Sequence, residues 1–271
     1  MSLTASSVWL STLDRLDQNG KSFPPRNMLT IEELDVTTRV SMRYPVVGVY
    51  ERKLSYRFMC AEALWMLEGS CLLEPLLPHA PSMAKYSDDG RTLQGAYGPK
   101  IVQQMQYCVD ALVVDPNTRQ AVIGIWRENP RISRDIPCTL SLQFLIRDNQ
   151  IHCMASMRSS DIWLGWPYDV FSFSMVTTYL ALMYRERTAA SIDLGMLSIR
   201  AGSQHIYVEQ SDKAMAIIKN RAVAQLEILP HEMSHFSSPR DLLDCLRFIR
   251  DADNDAPVPP MFSSLRTLCE K

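Results

Sequence analysis

Between Tyr56 and Leu73 the chain reads YRFMCAEALWMLEGSCLL, apolar on nearly every face, which predicts a helix buried on most sides rather than a surface one. A second such stretch, Val170 to Glu186, predicts another. Between them the period changes. Leu140, Leu142, Phe144 and Ile146 alternate with smaller or polar residues, RDNQ turns the chain, and Ile151, Cys153, Ala155 and Met157 alternate again. Period two on both sides of a turn predicts a β-hairpin. Shorter signals add a helix over Lys100–Leu112, a turn at Asp115-Pro116-Asn117-Thr118 and a β-branched strand at Ala121–Trp126. They also add a short strand at GMLSIRA, a helix at SDKAMAIIKNRAV, and a last helix capped by Ser238, begun by Pro239 and running to Arg250. The Pro, Gly and Asp content of PHAPSMAKYSDDGRTLQGAYG marks a loop. Residues 1–25 read as a polar lead-in and 251–271 as an irregular, Pro-punctuated tail. With no internal repeat and no linker, residues 1–271 predict one α+β domain, a mixed sheet packed with helices.

Composition narrows the function. The chain has 271 residues, 46% of them hydrophobic, enough for one sizeable core. A net charge of −2 without a basic run argues against direct nucleic-acid binding. No stretch reaches the roughly 18–20 apolar residues of a membrane span, and the N-terminus shows no apolar signal-peptide core, so a cytoplasmic location is expected. The seven cysteines form no CxxC pair and read as reduced thiols, several simply buried.

Four places carry candidate chemistry. Glu62 sits inside an apolar helix, where a carboxylate must be on a narrow exposed stripe, paired or functional. Cys138, after Pro137, lies at the mouth of the first hairpin strand. Arg158 lies at the far end of the second, so a turn at 147–150 brings guanidinium and thiol together. That pairing favours the reactive thiolate. His205 and Tyr207, two apart at a strand end, share a face if extended. MRSSDIWLGWPYD packs Arg158, Ser159, Asp161 and Asp169 among aromatics, a mixture that usually surrounds a site. His231-Glu232-Met233-Ser234-His235 matches the H-E-x-x-H of zinc proteases. However, Pro230 and the following FSSP leave barely one turn for both histidines to share a helix face, so no metal is expected there.

Taken together these fragments resemble the thymidylate synthase family, in order, from about residue 26 to residue 220. YERKLSYRFMCAEALWMLEGS is similar to the family's basic lead into the helix of its glutamate, here Glu62. LQGAYG is similar to its active-site Tyr-Gly and gives Tyr97. DPNTRQAVIGIW is similar to the strand whose arginine crosses the dimer interface. IPCTLSLQF resembles the Pro-Cys nucleophile segment, and QHIY the His-x-Tyr. MRSSDIWLGWPYD resembles the diagnostic Arg-Ser-x-Asp-x-x-Leu-Gly-x-Pro.

The resemblance implies a homodimer packed through a sheet face, and a site with assigned roles. Cys138 would add to C6 of a pyrimidine nucleotide, with 5,10-methylenetetrahydrofolate as the one-carbon co-substrate. Arg158, Ser159 and Arg26 would hold the 5′-phosphate, joined by Arg119 from the second subunit. A bidentate guanidinium suits phosphate better than lysine does. His205 and Tyr207 would hold the sugar 3′-hydroxyl. Asp161, Gly165 and Tyr86 would face the folate, while Glu62 and Tyr97 serve the reacting base.

The departures point to a particular branch. Synthases acting on dUMP carry Asn where this chain has Asp169; a carboxyl group suits cytosine instead. Thr139 replaces the His that usually follows the cysteine, and Gln120 replaces the second of two adjacent arginines. Met83 and Tyr86 stand where tryptophans shield the methylene intermediate from water. The expected substrate is therefore dCMP, with hydration in place of reduction, as in the hydroxymethylases of phages that modify their DNA. The alternatives are CMP and a dUMP-methylating synthase.

Overall fold

The computed structural model describes residues 3–220 and 226–270. Six strands form one mixed sheet: β1 (Lys21–Phe23), β2 (Thr30–Ser41), β3 (Val122–Gly124), β4 (Thr139–Arg147), β5 (Gln150–Asp161) and β6 (Asp193–Tyr207). Their spatial order is β1-β2-β6-β5-β4-β3. Only β5 and β6 run parallel; the other neighbours are antiparallel. The helices are α1 (Ala5–Asn19), α2 (Tyr56–Leu67), α3 (Gly98–Val114), α4 (Trp166–Thr188), α5 (Val208–Lys219), α6 (Pro239–Arg250) and α7 (Pro260–Cys269). The chain is an α+β domain with helices packed on the sheet. No described helix is long and apolar enough to cross a membrane.

The two helices expected to be buried all round are α2 and α4. In α4, Phe171, Phe173, Met175, Val176, Leu180 and Leu182 are all fully buried, and the helix crosses the core between sheet and outer helices. Its interior hydroxyls do not interrupt it, because Ser174, Thr177 and Thr178 bond back to the carbonyls of Val170, Phe173 and Ser174. The predicted hairpin forms with Arg147 opposite Gln150, and Ile151, Cys153, Ala155 and Met157 all face the core. Ser238 caps α6 through a reciprocal capping box with Asp241.

Four expectations need correction. Residues 1–25 are not merely a polar lead-in: residues 5–19 form α1, whose Val8, Trp9, Leu13 and Leu16 enter the core at helical spacing. The tail is not irregular throughout, because Met261, Phe262 and Leu265 bury one face of α7. The segment GMLSIRA is the middle of a 15-residue strand, and Thr30–Ser41, not foreseen as a strand, pairs along it. Leu140 does not alternate with Leu142 into the core. A bulge between Thr139 and Ser141 puts Thr139 inside and turns Leu140 partly outward. The end of the helix expected at SDKAMAIIKNRAV, residues 221–223, lies outside the described residues.

Helix α1 also reaches the loop that matters. The Trp9 indole is fully buried, donates to the carbonyl of Ile162 at 2.8 Å, and packs on Trp163 at 5.6 Å between ring centres. Replacing Trp9 by Ala removes the packing and leaves that carbonyl unpaired. Trp9→Ala is expected to cost about 3–5 kcal/mol, measured as the shift in urea unfolding; a loss under about 1 kcal/mol would show that α1 is not part of the cooperative core.

Candidate active site

Along the ends of β4, β5 and β6 the chain collects its candidate groups. The amide of Arg158 donates to the carbonyl of Cys138 at 2.8 Å, so the hairpin does bring thiol and arginine to adjacent strand ends. The Ser159 hydroxyl lies 3.6 Å from the Cys138 sulfur. The guanidinium of Arg158 donates from Nε to the carbonyl of Pro137 and from Nη2 to that of Ile136, both at 2.9 Å. It thus braces the turn that presents the cysteine while remaining exposed. Burial raises the Cys138 thiol above its ordinary value, while Arg158 and the Ser159 hydrogen bond pull the other way. In the ligand-free site burial wins. The bulge one residue later is the kind of irregularity that re-aims a side chain beside a site.

Further along the same edge, Asp161 pairs with His205 across β5 and β6. One oxygen of Asp161 accepts from the amides of Trp163 and Leu164, both at 2.8 Å, building the turn into α4. His205 and Tyr207 share a face, their rings edge to face at 5.5 Å, and His205 Nδ1 is buried with no partner among the described residues. Arg26 donates to the Tyr207 hydroxyl at 3.5 Å. Its φ of 53° is a left-handed conformation that costs a non-glycine residue about 1–2 kcal/mol, and such strain concentrates at functional sites.

Behind this row is a cavity of about 130 Å³. Its polar wall is Glu62 from α2, Asp169 from the first turn of α4, Tyr97 and Asp135; its apolar wall includes Trp65, Met66, Met83 and Leu93. The Tyr97 hydroxyl accepts from the amide of Thr139 at 3.3 Å, which ties the cavity to the cysteine strand. Burial, then the charge of Asp169, raises Glu62 from 4.5 to about 8. Burial, then Asp161, raises Asp169 from 3.8 to about 7.

A sequence model of the thymidylate synthase family matches residues 8–242. The chain belongs to the thymidylate synthase family. Family membership assigns it to the folate-dependent one-carbon transferases, which use methylenetetrahydrofolate and a nucleotide. Of the residues expected at the site, Cys138, Arg158, Ser159, Tyr97, Glu62, Asp169, Asp161, Gly165, His205, Tyr207 and Arg26 lie on one connected stretch of structure. Two expected residues stand apart. Tyr86, stacked under Lys85, is outside the cavity wall, which Met83 supplies instead. Arg119 is exposed, and its carbonyl is held by Gln143, five residues beyond Cys138, or about 17 Å along the strand. Its guanidinium bonds to no described residue.

Two residues near the site were missed. Arg52 lies 4.6 Å over the Trp163 ring, donates to the Trp163 carbonyl and is lowered by burial. In sequence it was one of two basic residues in YERK. Asp135 stands next to Arg134 in a stretch with no motif of its own before Pro137-Cys138. The HEMSH segment is structural: His231 is buried, with Nε2 2.8 Å from the Thr178 hydroxyl, and burial drives it down to about 3. Only Met233–His235 is helical, as a single 3-10 turn.

The raised acids have a consequence for stability. In the unfolded chain Glu62 ionises near 4.5, but in the folded chain it keeps its proton until about 8. The unfolded state therefore binds fewer protons between those values, and the contribution present below pH 4.5 is lost as pH rises towards 8. Glu62→Gln removes that loss. Relative to the parent, the variant is expected to gain stability steadily from pH 5 to pH 8, read from urea midpoints. A pH-independent difference would mean that Glu62 ionises normally.

Proposed function

We propose that this protein is a deoxycytidylate hydroxymethylase, which transfers a one-carbon unit to C5 of dCMP and hydrates it to 5-hydroxymethyl-dCMP. The observation that carries this reading is the carboxyl of Asp169, buried in the cavity wall with its proton affinity raised to about 7. Cytosine presents an N3 acceptor and an N4 amino donor. A carboxyl group that holds a proton near neutrality answers both: one oxygen accepts from N4, and the proton lies between the other oxygen and N3. Sharing the proton with N3 draws electrons from C6 and favours addition of the thiolate. Against uracil, an ionised Asp169 would oppose two acceptors, at about 1–3 kcal/mol. An Asn, as in synthases that act on dUMP, would not.

The remaining groups take the parts their chemistry allows. Cys138 attacks C6. Arg158 and Ser159, beside the thiol, and Arg26 receive the 5′-phosphate, whose arrival completes the cationic surroundings of the sulfur. Arg119 joins them from a second copy of the chain in a homodimer. His205, through its unpartnered Nδ1, and Tyr207 bind the sugar 3′-hydroxyl. Glu62, protonated near neutrality, donates and orders protons around the base, and Tyr97 closes that wall. The apolar lining of Trp65, Met66, Met83 and Leu93 fits the flat ring of a folate, with Asp161 and Gly165, in the turn into α4, on its approach. When bound, 5,10-methylenetetrahydrofolate supplies the carbon at the oxidation level of formaldehyde. Thr139 in place of the usual His and Met83 in place of a shielding tryptophan favour access of water over exclusion.

Incubation with methylenetetrahydrofolate and an equimolar mixture of dCMP, CMP and dUMP, followed by mass spectrometry, reads base, sugar and hydration at once. The expected product is 5-hydroxymethyl-dCMP, without dihydrofolate. Asp169→Asn is expected to move preference towards dUMP by at least about tenfold, and Cys138→Ala to abolish turnover while leaving nucleotide binding. Thymidylate from the unaltered protein, or an unchanged dCMP to dUMP ratio in Asp169→Asn, would refute the reading.

A further inference from the structure

Three carboxyl groups line the cavity, and the third is Asp135, three residues before the cysteine. Its surroundings differ from those of the other two. Asp135 Oδ2 accepts from the amide of Gly95 at 2.6 Å, while Oδ1 bonds to no described residue. Gly95 has no room for a side chain: a methyl group there would come within 2.9 Å of Asp135 Oδ1 and 3.0 Å of the Pro137 nitrogen. Glycine thus lets the backbone approach and fix this carboxylate. On its outer side, Asp135 also forms part of a small cleft with Gln94, Trp126, Arg127 and Arg131. The cleft holds about 10 Å³, close to the space of one water molecule. Asp135 is therefore a wall shared by the reaction cavity and a water-sized recess open to solvent.

Resting on the hydroxymethylase reading, we propose that Asp135 is the general base for the hydration step. Water enters from the outer cleft, and Asp135 Oδ1 takes one of its protons as its oxygen bonds to the exocyclic methylene carbon on C5 of the pyrimidine. The π pair of that methylene moves to form C5=C6. The C6–S bond breaks, and its electrons leave with Cys138 as thiolate. The step needs no oxidant or reductant. The three acids divide the work by environment. Glu62 and Asp169 hold protons near neutrality; burial raises Asp135 as well, but there the Gly95 amide and the charge of Arg127 oppose the rise, as nothing does for the other two. A base and two acids can thus share one small space.

The test separates early from late steps. Asp135→Asn keeps an acceptor for the Gly95 amide. In a single turnover, with enzyme in excess over dCMP tritiated at C5, the variant is expected to release tritium within about threefold of the parent, while 5-hydroxymethyl-dCMP forms about 100-fold more slowly, the lower range for loss of a general base. In Asp135→Ala, formate is expected to restore product formation in a concentration-dependent way, which a purely structural loss would not allow. Unchanged product formation in Asp135→Asn overturns the assignment, as does equal loss of tritium release and product. Absence of formate rescue overturns it as well. If the parent protein methylates its substrate, the hydroxymethylase reading falls and this assignment with it. If the parent hydroxymethylates and Asp135→Asn does so equally fast, only this assignment falls.

Discussion

Glu62 and Asp169 face one small cavity from two different helices, and neither has a cation to neutralise it there. A carboxylate taken out of water keeps its charge only where a partner repays the lost hydration. Here each acid finds another acid nearby: Asp169 raises Glu62, and Asp161 raises Asp169. The site therefore stores protons at neutral pH. Burial raises both carboxyls first and the neighbouring acid adds to it, so the proton content of the cavity is set by the loss of hydration.

The fold is arranged to hold that pair in position. Helix α2 brings Glu62 on an otherwise buried surface. Helix α4 starts at Trp166, whose indole donates to the Thr38 hydroxyl at 3.0 Å, so Asp169 in its first turn is anchored to the sheet. The turn before it is held by Asp161 and by Trp9 from the far end of the chain. A helix N-terminus would ordinarily favour an ionised acid. At Asp169 burial and Asp161 outweigh it, and the direction of the shift decides that the acid serves the cavity more than the helix.

Much of this was legible. The hairpin from Leu140 to Met157 followed from period two, and with it the meeting of Cys138 and Arg158. The cap at Ser238 followed from local chemistry. Other features were hidden for identifiable reasons. Helix α1 carries its core residues among Ser, Asp and Arg, so mean polarity masked the spacing of Trp9, Leu13 and Leu16. In the tail, prolines outweighed the helical spacing of Met261, Phe262 and Leu265. Strand β2 is half exposed and mixes Glu and Asp with Val, which blurs its alternation. The bulge at Thr139 left no mark in the sequence, because a bulge is a matter of two strands in register. Asp135 was hidden for a similar reason. Its role depends on Gly95, forty residues earlier, and nothing local to RDIPC distinguishes it from its solvated neighbours.

His231 shows why burial must be read with its partners. A histidine next to a glutamate and four residues before another histidine has the residue types of a metal site. In the fold, its ring is enclosed by Phe236 and Phe262 and hydrogen-bonded to Thr178 on α4. Glu232 is engaged by Arg43. A ligand set must converge on one point with lone pairs free, whereas His231 is turned to Thr178 and Glu232 to Arg43. The cavity acids do the reverse: they converge from α2, α4 and the loop before β4 on one space, with few partners of their own. That convergence of unsatisfied groups, more than any residue type, is what distinguishes a reactive site from a polar core.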